Sequence, residues 1–413
     1  MKIKMIFLFL CLGAVTCVAI AQQPEALTLQ RVTDLYLSQN LEIQAARYRL
    51  ERTRADQIAA RLRPNPAVTV SGENIKIDGA TPFRRLYELS MTYSETIELG
   101  GKRELRQRVA DLTVSAAEAQ LADGLRRGLA EVKRLYYDAV RARYNVEVAQ
   151  ENRQTYEQLV QFNQARFQQG VIPEADLIKV RLERVKFDNA LRQTQLDLRQ
   201  AAIRLTAKLG ATTFVQQTVA GDLDFINVTP SLESLRQIAL MERADIQAAV
   251  REAEAVKERL PLEQARARPD LNPFVGYKRV GIDDTFLFGV SIPLKTRDRN
   301  QAGIARAAAD IKTADTQLQL ARNRALAEVQ AAYEAFQTAR EQVQTFRDQL
   351  LGEADESRTI ALAAYQEGGT QLLSVLEAQR TRAEVRQQYF QTLFDFRSSL
   401  VDLELAVGRE ILP

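Results

Sequence analysis

Apolar and polar residues follow one order of patterns along the chain, and that order occurs twice. Each copy starts with a helical pattern of about 35 residues, continues with two alternating segments, and ends with helical patterns of about 65 and about 36 residues. The predicted helices are Leu29–Leu62, Lys102–Gln168 and Pro173–Leu209 in the first copy, and Leu232–Arg266, Gln301–Gln366 and Gln371–Val407 in the second. This order predicts a mainly α-helical protein with a small β part.

The alternating segments predict two strands in each copy. Leu89, Met91 and Tyr93 alternate with small polar residues, and Phe286 and Phe288 do the same in the second copy. Strict period-two alternation is typical of strands with one apolar face. Each segment runs for about ten residues, which is the length that crosses an outer membrane when a strand is tilted.

The two copies align as an internal repeat, and this sets the expected boundaries. We expect a first repeat over 22–210, a linker over 211–230 and a second repeat over 231–413. The matched positions include Glu131 with Glu328, Phe167 with Tyr365, Gly170 with Gly368, and Gly210 with Gly408.

The first 21 residues have the features of an export signal. Lys2 and Lys4 precede an apolar run, and Ala19–Ala21 forms a small-residue cleavage site, so Gln22 would begin the mature chain. An N-terminal membrane anchor and a lipoprotein that retains Cys17 are the alternatives. The run is short for an anchor, and Cys17 lacks a small residue before it.

Composition excludes several functions. The chain has no histidine, its only cysteines are Cys11 and Cys17, and removal of Lys2 and Lys4 lowers the net charge from +3 to +1. The mature chain therefore has no residues for a His or Cys catalytic set or a thiolate metal site, and no strong charge that would attract nucleic acid. We predict that it is not an enzyme, and that it has no cofactor and no metal site.

The predicted elements require an assembly. A helix of about 65 residues is about 100 Å long and needs partners along its length. Four membrane strands cannot close a barrel, and open strand edges are not tolerated in lipid. Three copies would supply twelve strands and close it. The alternative is a soluble helical protein whose hairpins only cap a bundle.

With these features, the chain resembles the TolC-like outer-membrane efflux proteins, and among them the outer-membrane subunits of cation efflux systems of the CzcC and CusC kind. The resemblance is carried by the repeat and by four motifs: E-L-G-G-K-R at Glu98–Arg103, the Ile292–Gln301 run, Phe167-x-x-Gly170 and Tyr365-x-x-Gly368.

The resemblance implies a homotrimer with a long α-helical barrel in the periplasm and a twelve-stranded β-barrel in outer-membrane lipid. It implies a passive duct that exports metal cations, with a periplasmic adaptor and an inner-membrane RND-type pump as partners. A duct for a drug pump or for type I protein secretion stays open as an alternative. A soluble periplasmic coiled-coil structural or adaptor protein is the alternative from another class.

The resemblance also implies where function resides. The periplasmic aperture would be formed by Asp176, Ser374, Glu377, Phe167 and Tyr365. Ser374 departs from the acidic residue that relatives have there, so Asp176, which aligns with it, would supply the charge. The turns at Gly170, Gly368 and Gly369 would contact the adaptor, and Gly100, Gly101 and Pro293 would bend the chain from strand to helix.

Overall fold

A computed structural model describes residues 26–75, 77–80, 82–212 and 218–411. The predicted signal at 1–21 lies outside these residues. The helices are α1 Leu29–Gln39, α2 Leu41–Arg61, α3 Phe83–Leu86, α4 Lys102–Gln168, α5 Glu174–Lys208, α6 Leu232–Glu242, α7 Ala244–Arg266, α8 Gln301–Thr345, α9 Leu351–Gln366 and α10 Leu372–Val407. The strands are β1 Ala67–Glu73, β2 Glu88–Ser94, β3 Asn272–Val280 and β4 Asp283–Ser291.

The first predicted helix of each repeat is in fact two helices. Asn40 separates α1 from α2, and Arg243 separates α6 from α7, each with an extended backbone. Both residues replace lost helical bonds with side-chain contacts. The Asn40 side chain accepts from Ile43 N–H and donates to the Lys208 carbonyl at 2.8 Å, and the Arg243 guanidinium donates to the Ala406 carbonyl at 2.9 Å. The prediction of unbroken helices was wrong because these long-range contacts outweigh local propensity.

The two breaks are equivalent, so the internal repeat extends to tertiary contacts. At each break, the side chain of the separating residue donates a hydrogen bond to a carbonyl near the C-terminus of the last helix in the same repeat, α5 for Asn40 and α10 for Arg243. Lys208 pairs with Glu131 at 2.7 Å, and Arg243 pairs with Glu328, the residue matched to Glu131, also at 2.7 Å.

A five-residue π-helical segment, Phe346–Leu350, interrupts the long helix predicted over Gln301–Gln366. The first repeat has no such interruption, because α4 is α-helical throughout. Glu131 matches Glu328, but Phe167 matches Tyr365, so the second repeat is one residue longer between these points. The π segment accommodates that residue without rotating the helix below it.

Among the described residues, the helices form a layer with two larger apolar cores and a small third cluster of Ala253, Val256 and Ala314 between α7 and α8. The larger core lies at the middle of the layer, where α1, α4, α6, α8 and α10 meet the linker. The smaller core lies at the far end and contains Tyr156, Leu159, Val180, Tyr365, Leu372, Val375 and Leu376. Helix α4 is the central element, because it contacts α2 and α7 near the sheet and α5 and α10 near the far end. Helix α5 forms one edge of the layer, and α8 and α9 form the other.

The four strands form one antiparallel sheet in the order β1-β2-β3-β4. Its register places apolar side chains in rows on one face, and these side chains are exposed in the single chain. The two longest rows are Val68–Tyr93–Val275–Phe288 and Val70–Met91–Tyr277–Phe286. The opposite face is mostly polar, with Thr69, Ser71, Ser90, Thr92 and Lys278.

Among the described residues, no helix combines the length and apolar character needed to span a membrane.

Candidate functional site at the helical tip

Two glycine turns form the end of the helical layer. Gly170 and Gly368 have left-handed φ angles of 72° and 81°, and the amides around each turn donate back to the last carbonyls of the preceding helix. A Cβ at either position would meet no atom within 4 Å. Gly369 follows in the second turn and donates to the Ala364 carbonyl at 2.7 Å. The glycines are therefore needed for backbone conformation, and the surface around Gly170 and Gly368 is open.

Tyr365 is the central side chain of the tip. It is only 5% exposed, and its hydroxyl donates to Asn163 Oδ1 at 2.5 Å. Its ring meets Phe162 edge-on at 6.1 Å between centroids. The Arg166 guanidinium lies 5.0 Å from the Tyr365 ring centroid and donates to its carbonyl at 3.3 Å. These contacts tie the end of α4 to the end of α9.

Burial raises the pKa of the Tyr365 hydroxyl, with Arg166 acting to lower it and Asp176 acting to raise it. The hydroxyl therefore stays protonated at ordinary pH and can keep donating to Asn163. Sequence reasoning missed Asn163 and Arg166. A polar residue on the mostly apolar face of α4 was the signal that could have identified Asn163, which is fully buried in the fold.

Phe167 lies outside the apolar tip core of its own chain. Its side chain is 36% exposed, although the sequence matches it with the buried Tyr365. Of the two aromatic aperture candidates, only Tyr365 packs into the tip core.

The three polar aperture candidates occupy different surroundings. Asp176 is half-buried in the first turn of α5 and pairs with Lys179 at 3.0 Å. Ser374 and Glu377 are exposed and line an open groove between α9 and α10 with a volume of about 720 Å³. Glu353 and Glu356 line the same groove. Within the chain, Asp176 does not join this acidic surface, so the structure brings Ser374 and Glu377 together without it.

The strand-to-helix junction is built differently in the two repeats. Gly100 and Gly101 have φ angles of 79° and 70°, and Gly101 is the N-cap residue of α4. In the second repeat the left-handed residue is Asn300, with φ of 59°, and it is the N-cap residue of α8. Pro293 lies earlier, in the exposed irregular segment after β4. Sequence reasoning missed Asn300, whose signal was its place in the Ile292–Gln301 run.

The E-L-G-G-K-R motif binds the two repeats together at this junction. Lys102 is buried, and its ammonium group contacts Asp270 Oδ1 at 2.6 Å and the Arg268 carbonyl at 2.8 Å. Leu99 N–H donates to the same carboxylate at 3.0 Å, and Arg106 pairs with Glu98. Burial acts to raise the pKa of Asp270, but Lys102 and the Leu99 amide outweigh it and hold that pKa below its usual value. The motif thus has a structural role, as an ionic clamp.

Across the described ranges, no group of three or more Asp, Glu, His or Cys side chains is arranged to hold a metal ion.

Several known proteins are similar to this chain in sequence or in fold. The cobalt-zinc-cadmium resistance protein CzcC of Cupriavidus metallidurans is 27% identical over 395 residues, which cover 93% of this chain and 90% of CzcC. The crystal structure of CusC has the same fold, with a TM-score of 0.76, 19% identity and 92% of each chain covered. The open-state outer membrane channel MtrE of Neisseria gonorrhoeae gives a TM-score of 0.75 at 17% identity, over 93% of this chain and 89% of MtrE.

The model of the family described as outer membrane efflux protein matches residues 32–211 and 235–409. Because these two segments make up most of the chain, the protein belongs to the outer membrane efflux protein family, whose members are non-enzymatic channels of the outer membrane that extend into the periplasm.

Proposed function

We propose that this chain is the passive, homotrimeric exit duct of a tripartite efflux system that exports metal cations. One observation carries the proposal. The four-stranded sheet has one apolar face, one mostly polar face and two open edges, and it continues into a helical layer about 100 Å long. A sheet of this kind is incomplete alone, and completing it creates a duct.

The sheet supports a shared membrane barrel. Its exposed apolar rows suit contact with lipid, and its polar face suits a water-filled interior. In the part of the chain that the structure describes, β1 and β4 each pair with one neighbour only. Joining β4 of one copy to β1 of the next removes every open edge once the ring closes. Three copies would give twelve strands.

The repeat boundaries are part of the same proposal. We assign 22–210 and 231–413 as the two structural repeats, with 211–230 as the linker between them. In the described part of the linker, Val219 forms a parallel bridge with Leu27, which fixes it to the start of the first repeat.

The tip supports docking of a periplasmic adaptor that leads to an RND-type inner-membrane pump. The turns at Gly170 and Gly368 are open, and Val171 beside the first turn is 56% exposed. We assign Gly170, Gly368 and Gly369 to adaptor contact. The chain itself supplies no energy, which the pump would provide.

We assign the aperture to Tyr365, Phe167, Asp176, Ser374 and Glu377. Tyr365 holds the α9–α10 hairpin to α4, so its release would let that hairpin move. Glu377 lies in a groove with two further carboxylates, Glu353 and Glu356, and no salt bridge engages any of the three within the described chain. Unpaired carboxylates near a threefold axis would favour cations over anions.

Metal cations are the proposed cargo because CzcC is named for resistance to cobalt, zinc and cadmium and matches nearly the whole chain. A duct does not need a site that retains its cargo, since it conducts only if the ion can leave again.

The test has two measurements. The first is the native mass of the protein extracted in detergent from outer-membrane fractions, where we expect three chains. The second uses a host strain that lacks its own cation exit duct but keeps the cognate pump and adaptor, in which the protein should restore growth on cobalt, zinc or cadmium. A monomer released without detergent would support the soluble coiled-coil alternative and rule out the proposed exit duct. A trimer that restores only drug tolerance or protein secretion would support the duct but rule out metal cations as its cargo.

A further inference from the structure

One contact inside the chain shows how the open edges of the helical layer can be covered. At the tip, the end of α4 in the first repeat meets the end of α9 in the second repeat. There Phe162 meets Tyr365, with ring centroids 6.1 Å apart. Each of these residues has a counterpart in the other repeat, since Phe167 matches Tyr365, and the same alignment matches Phe162 with Ile360.

The counterparts are open to solvent in the single chain. Phe167 is 36% exposed and Ile360 is 61% exposed, whereas Tyr365 is 5% exposed. The contact that is made once within the chain is therefore left unmade by the two counterparts. Phe167 lies at the end of α4, beside the α5 edge, and Ile360 lies in α9, where it lines the groove between α9 and α10.

The edge helix α5 shows the same difference. Ile178 and Ile203 are each 46% exposed, but their matched residues in α10, Leu376 and Val401, are buried. Helix α10 buries this apolar face against α4. Helix α5 has the same face and nothing in the described chain to cover it.

The two edges also carry opposite charges. The α8–α9 edge exposes acidic residues about two helical turns apart, at Glu334, Glu341 and Asp348, and Asp348 pairs with Arg347 at 3.3 Å. The α5 edge exposes basic residues at a similar spacing, at Lys179, Lys186, Arg192 and Arg199. Lys179 and Lys186 pair with Asp176 and Glu183 of the same helix, whereas no salt bridge among the described residues engages Arg192 or Arg199. Opposite charges on facing helices favour one partner and one orientation. The occupant that fits is a second copy of this chain, because only a copy brings both the apolar face and the matching charges.

We propose that Phe167 of one copy packs on Ile360 of the next copy, in the same way that Tyr365 packs on Phe162 within one chain. Helix α5 then lies along α8–α9 of the next copy. This inference rests on the proposed trimer and names the contact that joins its subunits at the tip.

The two contacts differ in chemistry. The contact within a chain has a hydrogen bond from Tyr365 to Asn163 and a stacked Arg166. The positions that match Asn163 and Arg166 are Ala361 and Ala364, so the contact between copies is purely apolar. A ring of three copies would alternate three polar contacts with three apolar ones. The apolar contacts give no directional bonds that must break when neighbouring tips slide past each other.

Cysteine cross-linking tests the contact directly, because the chain from Gln22 onward contains no cysteine. The variant carries Phe167→Cys and Ile360→Cys and is treated in membranes with an oxidant or a short bismaleimide. We expect most chains to migrate as covalent dimers and trimers on a denaturing gel. The matched control, Phe162→Cys with Tyr365→Cys, should link within one chain and migrate as a monomer.

A second control separates this inference from the proposed trimer. The native mass of the untreated variant is measured in detergent. If the variant has the mass of three chains but both reagents leave it as monomers, the contact is wrong and the trimer stands. A single-chain mass for the wild-type protein would instead overturn the trimer and the contact together. Pairing Phe167→Cys with Thr338→Cys, on the same edge but far from the tip, should give no cross-link.

Discussion

At the scale of single residues, two tyrosines in the tip core differ in what their hydroxyl groups meet. The Tyr365 hydroxyl donates to Asn163, whereas the Tyr156 hydroxyl is buried and has no hydrogen-bond partner among the described residues. Burial is the main reason that the pKa of Tyr156 rises to about 12, with Glu183 adding to it and Arg380 opposing it. A buried polar group without a partner costs free energy, and one with a partner does not.

We therefore expect opposite results from two conservative substitutions. Tyr365→Phe leaves the fully buried Asn163 oxygen without its donor and should lower the free energy of unfolding by about 1–2 kcal/mol. Tyr156→Phe removes a hydroxyl that has no partner, and stability should stay the same or rise. Chemical denaturation of the detergent-purified protein measures both. Equal losses in the two variants would contradict this account of the tip.

Two glycines in α4 provide a second residue-scale prediction. A Cβ at Gly128 would lie 1.7 Å from the Tyr36 hydroxyl, whereas a Cβ at Gly124 would meet nothing within 4 Å. Gly128→Ala should destabilise the protein by about 1–2 kcal/mol, because overpacking exceeds the gain in helix propensity. Gly124→Ala should stabilise it by up to about 1 kcal/mol. The thermal unfolding midpoints should move in opposite directions, and a shared direction would rule out the clash with Tyr36.

At the scale of elements, an ion pair holds the break between α6 and α7. Arg243 is buried and pairs with Asp245 at 2.7 Å. Burial acts to raise the pKa of Asp245, but Arg243 outweighs it and holds that pKa below its usual value of 3.8. The pair's contribution is therefore complete above pH 3.8 and is lost as the pH falls through the lower folded value.

Asp245→Asn should cost about 3 kcal/mol at neutral pH, because it leaves the buried Arg243 with Glu328 as its remaining acidic partner. The difference in stability between wild type and variant should shrink on acidification below pH 3.8. Denaturation midpoints measured across that range test the prediction. A difference that stays constant with pH would mean that the Asp245 charge does not contribute.

The π segment is a second element whose role can be tested. Deleting Gln349 should convert Phe346–Leu350 to α-helix and leave Tyr365 facing Asn163, because the first repeat has one residue fewer in the matching stretch. We expect a change in stability of no more than about 1 kcal/mol. Deleting Thr359 in α9 is the control, since it rotates the tip by about 100° and should break the Tyr365 contacts. Equal damage from both deletions in thermal unfolding would show that the π segment does more than accommodate one residue.

At the scale of the whole molecule, the proposed barrel places one face of the sheet against lipid and the other against water. Phe288 lies in an apolar row and is 86% exposed in the single chain, while its neighbour Leu287 points to the opposite face. Phe288→Lys should cost about 2–4 kcal/mol in the membrane and lower the amount of protein in outer-membrane fractions. Leu287→Lys should be tolerated. A stronger loss for Leu287→Lys would reverse the assignment of the two faces.

Much of this architecture could be predicted from local patterns. Period-two alternation predicted two strands in each copy, as the structure has them, and helical periodicity placed the tip turns at Gly170 and Gly368 to within a residue or two. The family comparison confirms the predicted fold class and outer-membrane location. The candidate site was harder to predict, because Asn163 and Arg166 act through residues about 200 positions away, and no local pattern reports such a contact.

The sequence alone determined the elements and their duplication, because hydrophobic period and glycine position are local properties of the chain. Only the tertiary structure decided where the helices break, since Asn40 and Arg243 end a helix by bonding to distant carbonyls. It also decided which member of a matched pair is buried. Tyr365 and Phe167 hold equivalent places in the repeat, but one faces α4 of its own chain and the other faces outward, because a chain with two repeats can pair them directly only once.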